Sequence, residues 1–331
     1  MLSRHFLRAT VLQSLYASEY SEICDVVTAE KNFTHNIHRL NDLGIIQVST
    51  LVHLREVAEI MIEEGRQKYR PTEEEKNPSL RLINNIFLCK IADNYDFRSQ
   101  VESHRVNWNN DEDLFRKAFT NFRKTQDYID YIAGDPAKGA STEGRNLVDE
   151  DKQLMLKLFK FLMNDEALTN AFIDKSLLWE DDFYQVAQYL FMYLKALDAD
   201  NMDEATPWAL VYDERNETER EGFDFARQLL LITLRHRDEN DDLIRKYLKG
   251  WEFERVSLMD ILLINMAITE LTECPSIPER VTVDEYIELS KEFSSDRSKL
   301  FVNGILDKLI LELRSAGKIR KSGRGILDVE K

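Results

Sequence analysis

The sequence is poor in the residues that interrupt helices. Its 331 residues include only 11 glycines and 6 prolines, and long stretches without either residue favour helices over a turn-rich β fold. Apolar residues recur at three- and four-residue spacing in most segments, for instance at Leu7, Val11 and Leu15. No strand-like alternation persists anywhere. The sequence therefore predicts an all-α protein.

Cysteines and long apolar runs are also scarce. The three cysteines, Cys24, Cys89 and Cys274, form no CxxC pair, which argues against a zinc site or a disulfide framework. The densest apolar run, 229–234, is much shorter than the roughly 18 residues of a membrane span. The N-terminus lacks the apolar block of a signal peptide. We expect a cytoplasmic protein with no membrane segment, metal or other cofactor.

Positive charge is lacking overall, since the net charge is −16 and the pI is about 5.0. This total argues against a protein whose whole surface binds nucleic acid. The acid lies mostly in the middle of the chain, in runs such as 73–75 and 180–182, whereas both ends carry basic clusters. Only the local potential matters at a contact, so the acidic total does not exclude nucleic-acid binding at the basic ends of the chain.

Motifs of catalysis are missing. The glycines of 134–144 lack the G-x-x-x-x-G-K-[ST] order of a phosphate-binding loop. His35 and His38 could share a helix face, but no further metal ligand is near them in sequence. We therefore expect that the protein is not an enzyme.

Helical patterns and local signals predict most of the elements. Polar breaks at 71–78, 134–144 and 198–222 separate the helical patterns, which run through 51–69, 80–95, 114–131, 154–163, 183–197, 225–235 and 241–249. A fully apolar helix after Ser257 is expected to be central in a bundle. The predicted caps are Ser3, capping boxes at 257–260 and 282–285, Gly250 as a C-cap, and Ser295 or Asp296 before the last helix.

Both ends of the chain resemble the NusB family. Residues 284–293 read D-E-Y-I-E-L-S-K-E-F, similar to the family's N-E-A-x-E-L-A-K-x-F, and 301–308 read F-V-N-G-I-L-D-K, similar to F-V-N-G-V-L-D-K. The stretch 263–271, followed by Pro278, resembles L-R-x-A-x-x-E-L…P. Near the N-terminus, the residues that match the family's R-R-x-A-R-x-x-A-L-Q-x-L-Y are Arg4, Arg8, Gln13, Leu15 and Tyr16.

The resemblance implies a NusB-like helical bundle of two packed subdomains, interrupted by an additional helical domain. We divide the chain into an N-terminal helix (1–23), a helical insertion of unknown role that could include part of the first subdomain (24–222), a C-terminal bundle (223–315) and a basic flexible tail (316–331). The tail could contact phosphates or simply keep the protein soluble.

The resemblance also implies a function and partners. Family members bind the boxA element of nascent ribosomal RNA operon transcripts together with the ribosomal protein NusE. The complex joins elongating RNA polymerase and suppresses premature termination. Some members form dimers, so the resemblance does not decide between a monomer and a homodimer for this protein. The alternative function is that of a helical protein–protein scaffold that has lost RNA binding. Two observations motivate it: the insertion is acidic, and the N-terminal arm carries few positive charges.

The resemblance assigns candidate RNA contacts at both ends. Arg4 and Arg8 match arginines that contact RNA, while His5 lies where strongly basic members have arginine. Tyr16 matches a tyrosine that could stack on a base or be a half-buried helix residue. Guanidinium groups suit phosphates and unpaired bases.

The second contact region precedes the final helix. Arg297 and Lys299 are expected to meet phosphates, and Phe301 matches a contact aromatic that also fits the core stripe. Asp260 matches an acidic residue of the partner-protein surface, although a capping box would explain it equally well. We expect Gly304 to serve close helix packing.

Overall fold

The computed structural model describes residues 3–20, 25–176, 179–180, 182–200, 202, 211–213, 216–248, 253–295 and 297–328. Within these ranges the chain forms helices and no strand, so the all-α prediction is confirmed. Contacts divide the chain into two units, which we call unit 1 (1–37 with 213–331) and unit 2 (38–212). No described helix is long and apolar enough to cross a membrane.

The α-helices in chain order are α1 Arg4–Glu19, α2 Val26–Arg66, α3 Glu73–Lys76, α4 Ile86–Asp93, α5 Tyr95–Ser103, α6 Glu112–Phe122, α7 Gln126–Ala133, α8 Leu147–Met163, α9 Glu166–Lys175, α10 Phe183–Ala196, α11 Glu217–Arg235, α12 Arg237–Arg245, α13 Leu258–Glu273, α14 Glu279–Phe293 and α15 Ser298–Ser315. Short 3₁₀ helices include Phe253–Arg255 and Gly323–Asp328. Helix α2 begins in unit 1 and continues into unit 2, α3 to α10 belong to unit 2, and α11 to α15 belong to unit 1.

Helix α13 forms the centre of unit 1. Every residue from Asp260 to Leu271 is buried, and α1, α11, α12, α14 and α15 all pack against it. A helix that is apolar nearly all round has to be covered on every side. The predicted central helix is therefore confirmed.

Only one of the predicted caps forms as expected. The Ser3 hydroxyl accepts a hydrogen bond from the Phe6 amide at the start of α1. Ser257 precedes α13 but makes no side-chain cap bond, and Thr282 lies inside α14, which begins at Glu279. Both predicted capping boxes are therefore wrong.

The remaining predicted caps concern α12 and α15. Arg297, not Ser295, occupies the position before α15. Gly250 and Asp296 lie outside the described residues.

In unit 2, α8 packs against α4, α6, α7, α9 and α10. The first and last residues of this unit lie together. The rings of His38 and Tyr212 are 5.8 Å apart. The Asn41 side chain accepts from the Val211 and Tyr212 amides, each at 2.8 Å, and donates to the Tyr212 carbonyl. The two ends of unit 2 are thus held together by these contacts.

The start of the basic tail is attached to unit 1, where the sequence predicted a flexible segment. The Ser322 amide donates to the Pro275 carbonyl at 2.9 Å, and Lys321 Nζ donates to the Cys274 carbonyl at 3.1 Å. A Cβ added at Gly325 would lie 2.1 Å from the Pro275 oxygen. The tail therefore follows the turn between α13 and α14 closely.

Candidate nucleic-acid interface

Arg8 lies inside unit 1, against the central helix. Its side chain is 1% exposed, and Nε and Nη2 each donate to the Glu270 carboxylate at 2.7 Å. The hydroxyls of Thr282 and Tyr286 donate to the same carboxylate at 3.0 and 3.1 Å. Burial opposes the charge of Arg8, but the hydrogen bonds to Glu270 outweigh it and raise the pKa of the guanidinium. Arg8 was predicted as a phosphate contact; its buried, occupied guanidinium corrects that prediction.

His5 is also matched by carboxylates. Its Nδ1 lies 2.9 Å from Glu285 and its Nε2 lies 3.0 Å from Glu292, both on α14. Glu285 also lies 3.4 Å from Arg8 Nη1. Partial burial lowers the pKa of His5, but the two carboxylates outweigh it and raise the pKa overall. The charge of the predicted N-terminal arm is therefore largely neutralised within unit 1.

The two exposed contact candidates of α1 lie on different sides of the helix. Arg4 is exposed, its guanidinium is 5.1 Å from the Phe225 ring, and it forms no ion pair with a described residue. Tyr16 is 39% exposed. On a regular helix, twelve residues place Tyr16 about 120° around and about 18 Å along the axis from Arg4. A single extended strand of RNA therefore cannot contact both Arg4 and Tyr16 along one face of α1.

The loop before α15 presents the clearest cationic group. Arg297 and Lys299 are both exposed, and Ser298 between them is buried. The Ser294 and Ser298 hydroxyls donate to the Asp260 carboxylate at 2.7 and 3.0 Å. The partial positive charge at the N-terminus of α15 adds to the charges of Arg297 and Lys299.

The sequence suggested two roles for Asp260, a contact with a partner protein and the acid of a capping box, and the structure gives it a third role. Its side chain is 6% exposed, and its carboxylate links the start of α13 to the end of α14 and the start of α15. We conclude that Asp260 holds the loop that carries the two cations.

The first two turns of α15 contain Phe301 and Gly304, for which the sequence made separate predictions. Phe301 is half-buried, which fits both a contact role and a core role. A Cβ added at Gly304 would meet nothing within 4 Å. The prediction that Gly304 allows a neighbouring helix of this chain to approach closely is therefore wrong.

The sequence reasoning missed Tyr20, which is 70% exposed with its ring centroid 5.1 Å from that of Tyr16. Its position one turn after Tyr16 was an available signal. The roles of Glu270, Ser294 and Ser298 had no such local signal. Among the described residues, no group of three or more His, Cys, Asp or Glu side chains is placed to hold a metal.

Comparison with known proteins agrees with this architecture. The profile of the NusB family matches residues 184–311, from α10 through most of α15. The transcription antitermination protein NusB of Salinibacter ruber (strain DSM 13855 / M31) is 40% identical over 107 residues, which are 32% of this chain and 67% of that protein. The chain belongs to the NusB family.

A second NusB relative covers a similar stretch. The transcription antitermination protein NusB of Chloroherpeton thalassium (strain ATCC 35110 / GB-78) is 36% identical over 106 residues. These are 32% of this chain and 50% of that protein, so the chain spans about half the length of this second relative. No solved structure matches the chain.

Proposed function

We propose that this NusB-family protein acts in transcription antitermination by binding a boxA-like RNA together with NusE, within the elongating RNA polymerase complex. The observation that carries the proposal is the family match over 184–311. This match includes the loop before α15, with Arg297 and Lys299, and the Asp260 carboxylate to which Ser294 and Ser298 of that region donate.

Arg297 and Lys299 supply the primary phosphate contacts in this proposal. Both are exposed, neither forms an ion pair with a described residue, and the neighbouring helix end favours an anion. Arg4 adds a third exposed cation and Tyr16 a stacking surface. Arg8 acts indirectly, since its bond to Glu270 fixes α1 on α13.

The test is fluorescence anisotropy of a labelled boxA RNA with the full chain, alone and with NusE. We expect Arg297→Ala plus Lys299→Ala to weaken binding and to reduce the slope of log K against log salt by about 0.7 for each lost phosphate contact. The matched control is Lys117→Ala plus Lys124→Ala, which removes two exposed cations from unit 2.

Binding that is equal for boxA and a scrambled RNA would overturn the assignment of boxA. Equal affinities for the loop variant and its control would remove Arg297 and Lys299 from the contact surface. Arg8→Ala is unsuitable as an RNA-binding test because it leaves Glu270 buried without its cation.

A second candidate is the helical protein–protein scaffold that has lost RNA binding. The observation that favours it is the neutralisation of the N-terminal arm, where Arg8 and His5 are paired with α14 and α13 carboxylates. This candidate predicts no RNA binding with or without NusE, and NusE binding that is insensitive to ribonuclease.

A further inference from the structure

A small pocket lies within unit 2, between the end of α2, the short helix α3 and helix α7. Its volume is about 190 Å³, somewhat more than the roughly 150 Å³ of an apolar cavity that holds benzene. Most sites for larger ligands have roughly 300–1,000 Å³. The pocket therefore has room for one ring-sized or branched apolar group, and its apolar lining consists of Met61, Ile62, Pro78 and Ile132.

One wall of the pocket is fixed by hydrogen bonds within and next to α3. The Glu75 amide donates to the Thr72 hydroxyl at 3.2 Å, and the Thr72 amide donates to the Glu75 carboxylate at 2.8 Å. Lys68, just after the end of α2, donates to the same carboxylate. These bonds hold α3 against the end of α2, so this wall of the pocket is preorganised for a ligand.

Tyr128 of α7 lines the pocket and is only 4% exposed. Its hydroxyl forms no hydrogen bond with a described residue, and it is not among the unbonded polar atoms that the fold encloses completely. The rings of Phe119 and Phe122 pack against the Tyr128 ring, with centroids 6.0 and 5.7 Å away. A buried hydroxyl without a partner costs free energy, so Tyr128 is suited to a ligand that brings a polar atom into the pocket.

Five charged side chains line the pocket, and two of them have no ion-pair partner among the described residues. Glu64, Lys68 and Glu75 are already in ion pairs. Glu74 and Arg123 are exposed and form no ion pair with a described residue. The pocket therefore offers one unpaired charge of each sign.

Both unpaired charges act on the Tyr128 hydroxyl. Burial raises the pKa of Tyr128, the charge of Arg123 lowers this pKa, and the charge of Glu74 raises it. A ligand with a single charge would be attracted by one of these groups and repelled by the other. An internal residue of a peptide carries neither of the matching charges, whereas a free α-amino acid carries both, next to its side chain.

We propose that this pocket binds a free α-amino acid with a ring-sized or branched apolar side chain. The side chain lies against the apolar lining. The carboxylate of the ligand meets Arg123 and the Tyr128 hydroxyl, and its ammonium group meets Glu74. None of these residues belongs to the family match over 184–311, and the proposal does not depend on RNA binding.

The experiment is methyl NMR of the full chain, labelled at methionine and isoleucine methyl groups and titrated with L-phenylalanine or L-leucine. We expect shifts at Met61, Ile62 and Ile132, with a Kd of roughly 1 mM or tighter, as the affinity per atom of small ligands allows. Absence of shifts at these residues, up to the solubility limit of both amino acids, would overturn the proposal.

A neutral analogue separates a free amino acid from a peptide. N-acetyl-L-phenylalanine amide keeps the ring but has neither charge, and we expect it to bind about tenfold more weakly than L-phenylalanine. Equal binding of the two compounds would overturn the proposal in favour of a peptide side chain.

Three variants test the assigned contacts. Arg123→Gln is expected to weaken binding of L-phenylalanine about tenfold. Its matched control is Lys124→Gln, which removes a neighbouring exposed cation that does not line the pocket and should leave the affinity unchanged. Tyr128→Phe keeps the ring, and we expect weaker binding without faster hydrogen exchange in α7, because the lost hydroxyl has no partner among the described residues. Equal affinities of Arg123→Gln, Tyr128→Phe and Lys124→Gln would contradict the proposed site.

Discussion

Replacing Arg8 with methionine tests how the buried ion pair stabilises unit 1. The change leaves the Glu270 carboxylate fully buried and removes two of its four hydrogen-bond donors. Breaking a buried pair by removing one partner costs about 3–5 kcal/mol. Because Thr282 and Tyr286 still donate to Glu270, we expect the free energy of unfolding to fall by about 3 kcal/mol, at the lower end of that range.

A second substitution gives the reasoning a definite sign. In the unaltered protein, Glu270→Gln places an amide NH₂ against donors from Arg8 and a hydroxyl, and is therefore destabilising. In the Arg8→Met background the same change removes an unpaired buried charge and keeps an oxygen acceptor. We therefore expect Glu270→Gln to recover stability there. The control is Arg116→Met, which also removes a two-bond contact with a carboxylate, that of Glu64, together with one bond to Glu112, all at the surface. Such exposed pairs contribute little.

Native-state hydrogen exchange with mass spectrometry is the suitable assay, because two units can unfold separately and one melting temperature would then be ill defined. Protection of α13 amides reports on unit 1, and α8 amides in unit 2 serve as an internal reference. Equal protection of α13 in Arg8→Met and Arg116→Met would refute the reasoning. So would a double variant, Arg8→Met with Glu270→Gln, that is less stable than Arg8→Met alone.

Three further predictions follow from individual residues. Gly304→Ala is expected to stabilise α15 by about 0.5–1 kcal/mol, since the added Cβ meets open space; faster exchange in α15 would contradict this. Gly325→Ala is expected to release the tail, because its Cβ would clash with the Pro275 carbonyl, and the Ser322 amide should then exchange faster; unchanged exchange would argue against the close contact. The raised pKa of His5 means that its ion pairs stabilise the fold fully below its ordinary value of 6.5 and lose that contribution as pH rises through the folded pKa. We therefore expect His5→Asn to cost more stability at about pH 6 than at about pH 8.5, and an NMR titration midpoint of 6.5 or lower would contradict the assignment.

The sequence predicted helices best where one face is buried and the other exposed. Helix α8 shows such a pattern, and its existence was predicted from 154–163. Helix α2 was predicted only from residue 51, although it begins at Val26. Residues 26–42 have one buried face, with Ala29, Phe33, Ile37 and Leu40, and that spacing was an available signal. At 43–50, in contrast, every residue is buried. A helix segment covered on all sides loses the periodicity by which a helix is predicted, and Gly44 weakens the signal further.

The candidate site was less predictable because it depends on distant partners. Arg4 and Arg8 lie one turn apart on α1, and both guanidinium groups approach the Phe225 ring, so they share a helix face. Whether that face meets RNA or the core is decided by Glu270, 262 residues away from Arg8. In the same way, the local pattern at 257–260 suggests a capping box, but the Asp260 carboxylate bonds to two serines more than thirty residues later. Residue type is a local property, whereas exposure is set by the fold.

The contact between the two ends of unit 2 affects how the chain folds during synthesis. Helix α1 is made long before α11 and α13, against which it packs, and about 200 residues of chain separate it from α11. Unit 2 is contiguous in sequence, so it can fold while the rest is still being made. Once His38 and Tyr212 meet, the effective loop between α1 and α11 falls from about 200 residues to about 20, which lowers the entropic cost of joining them by about 2 kcal/mol. Replacing Asn41 with alanine should therefore slow the assembly of unit 1, although Asn41 belongs to the other unit.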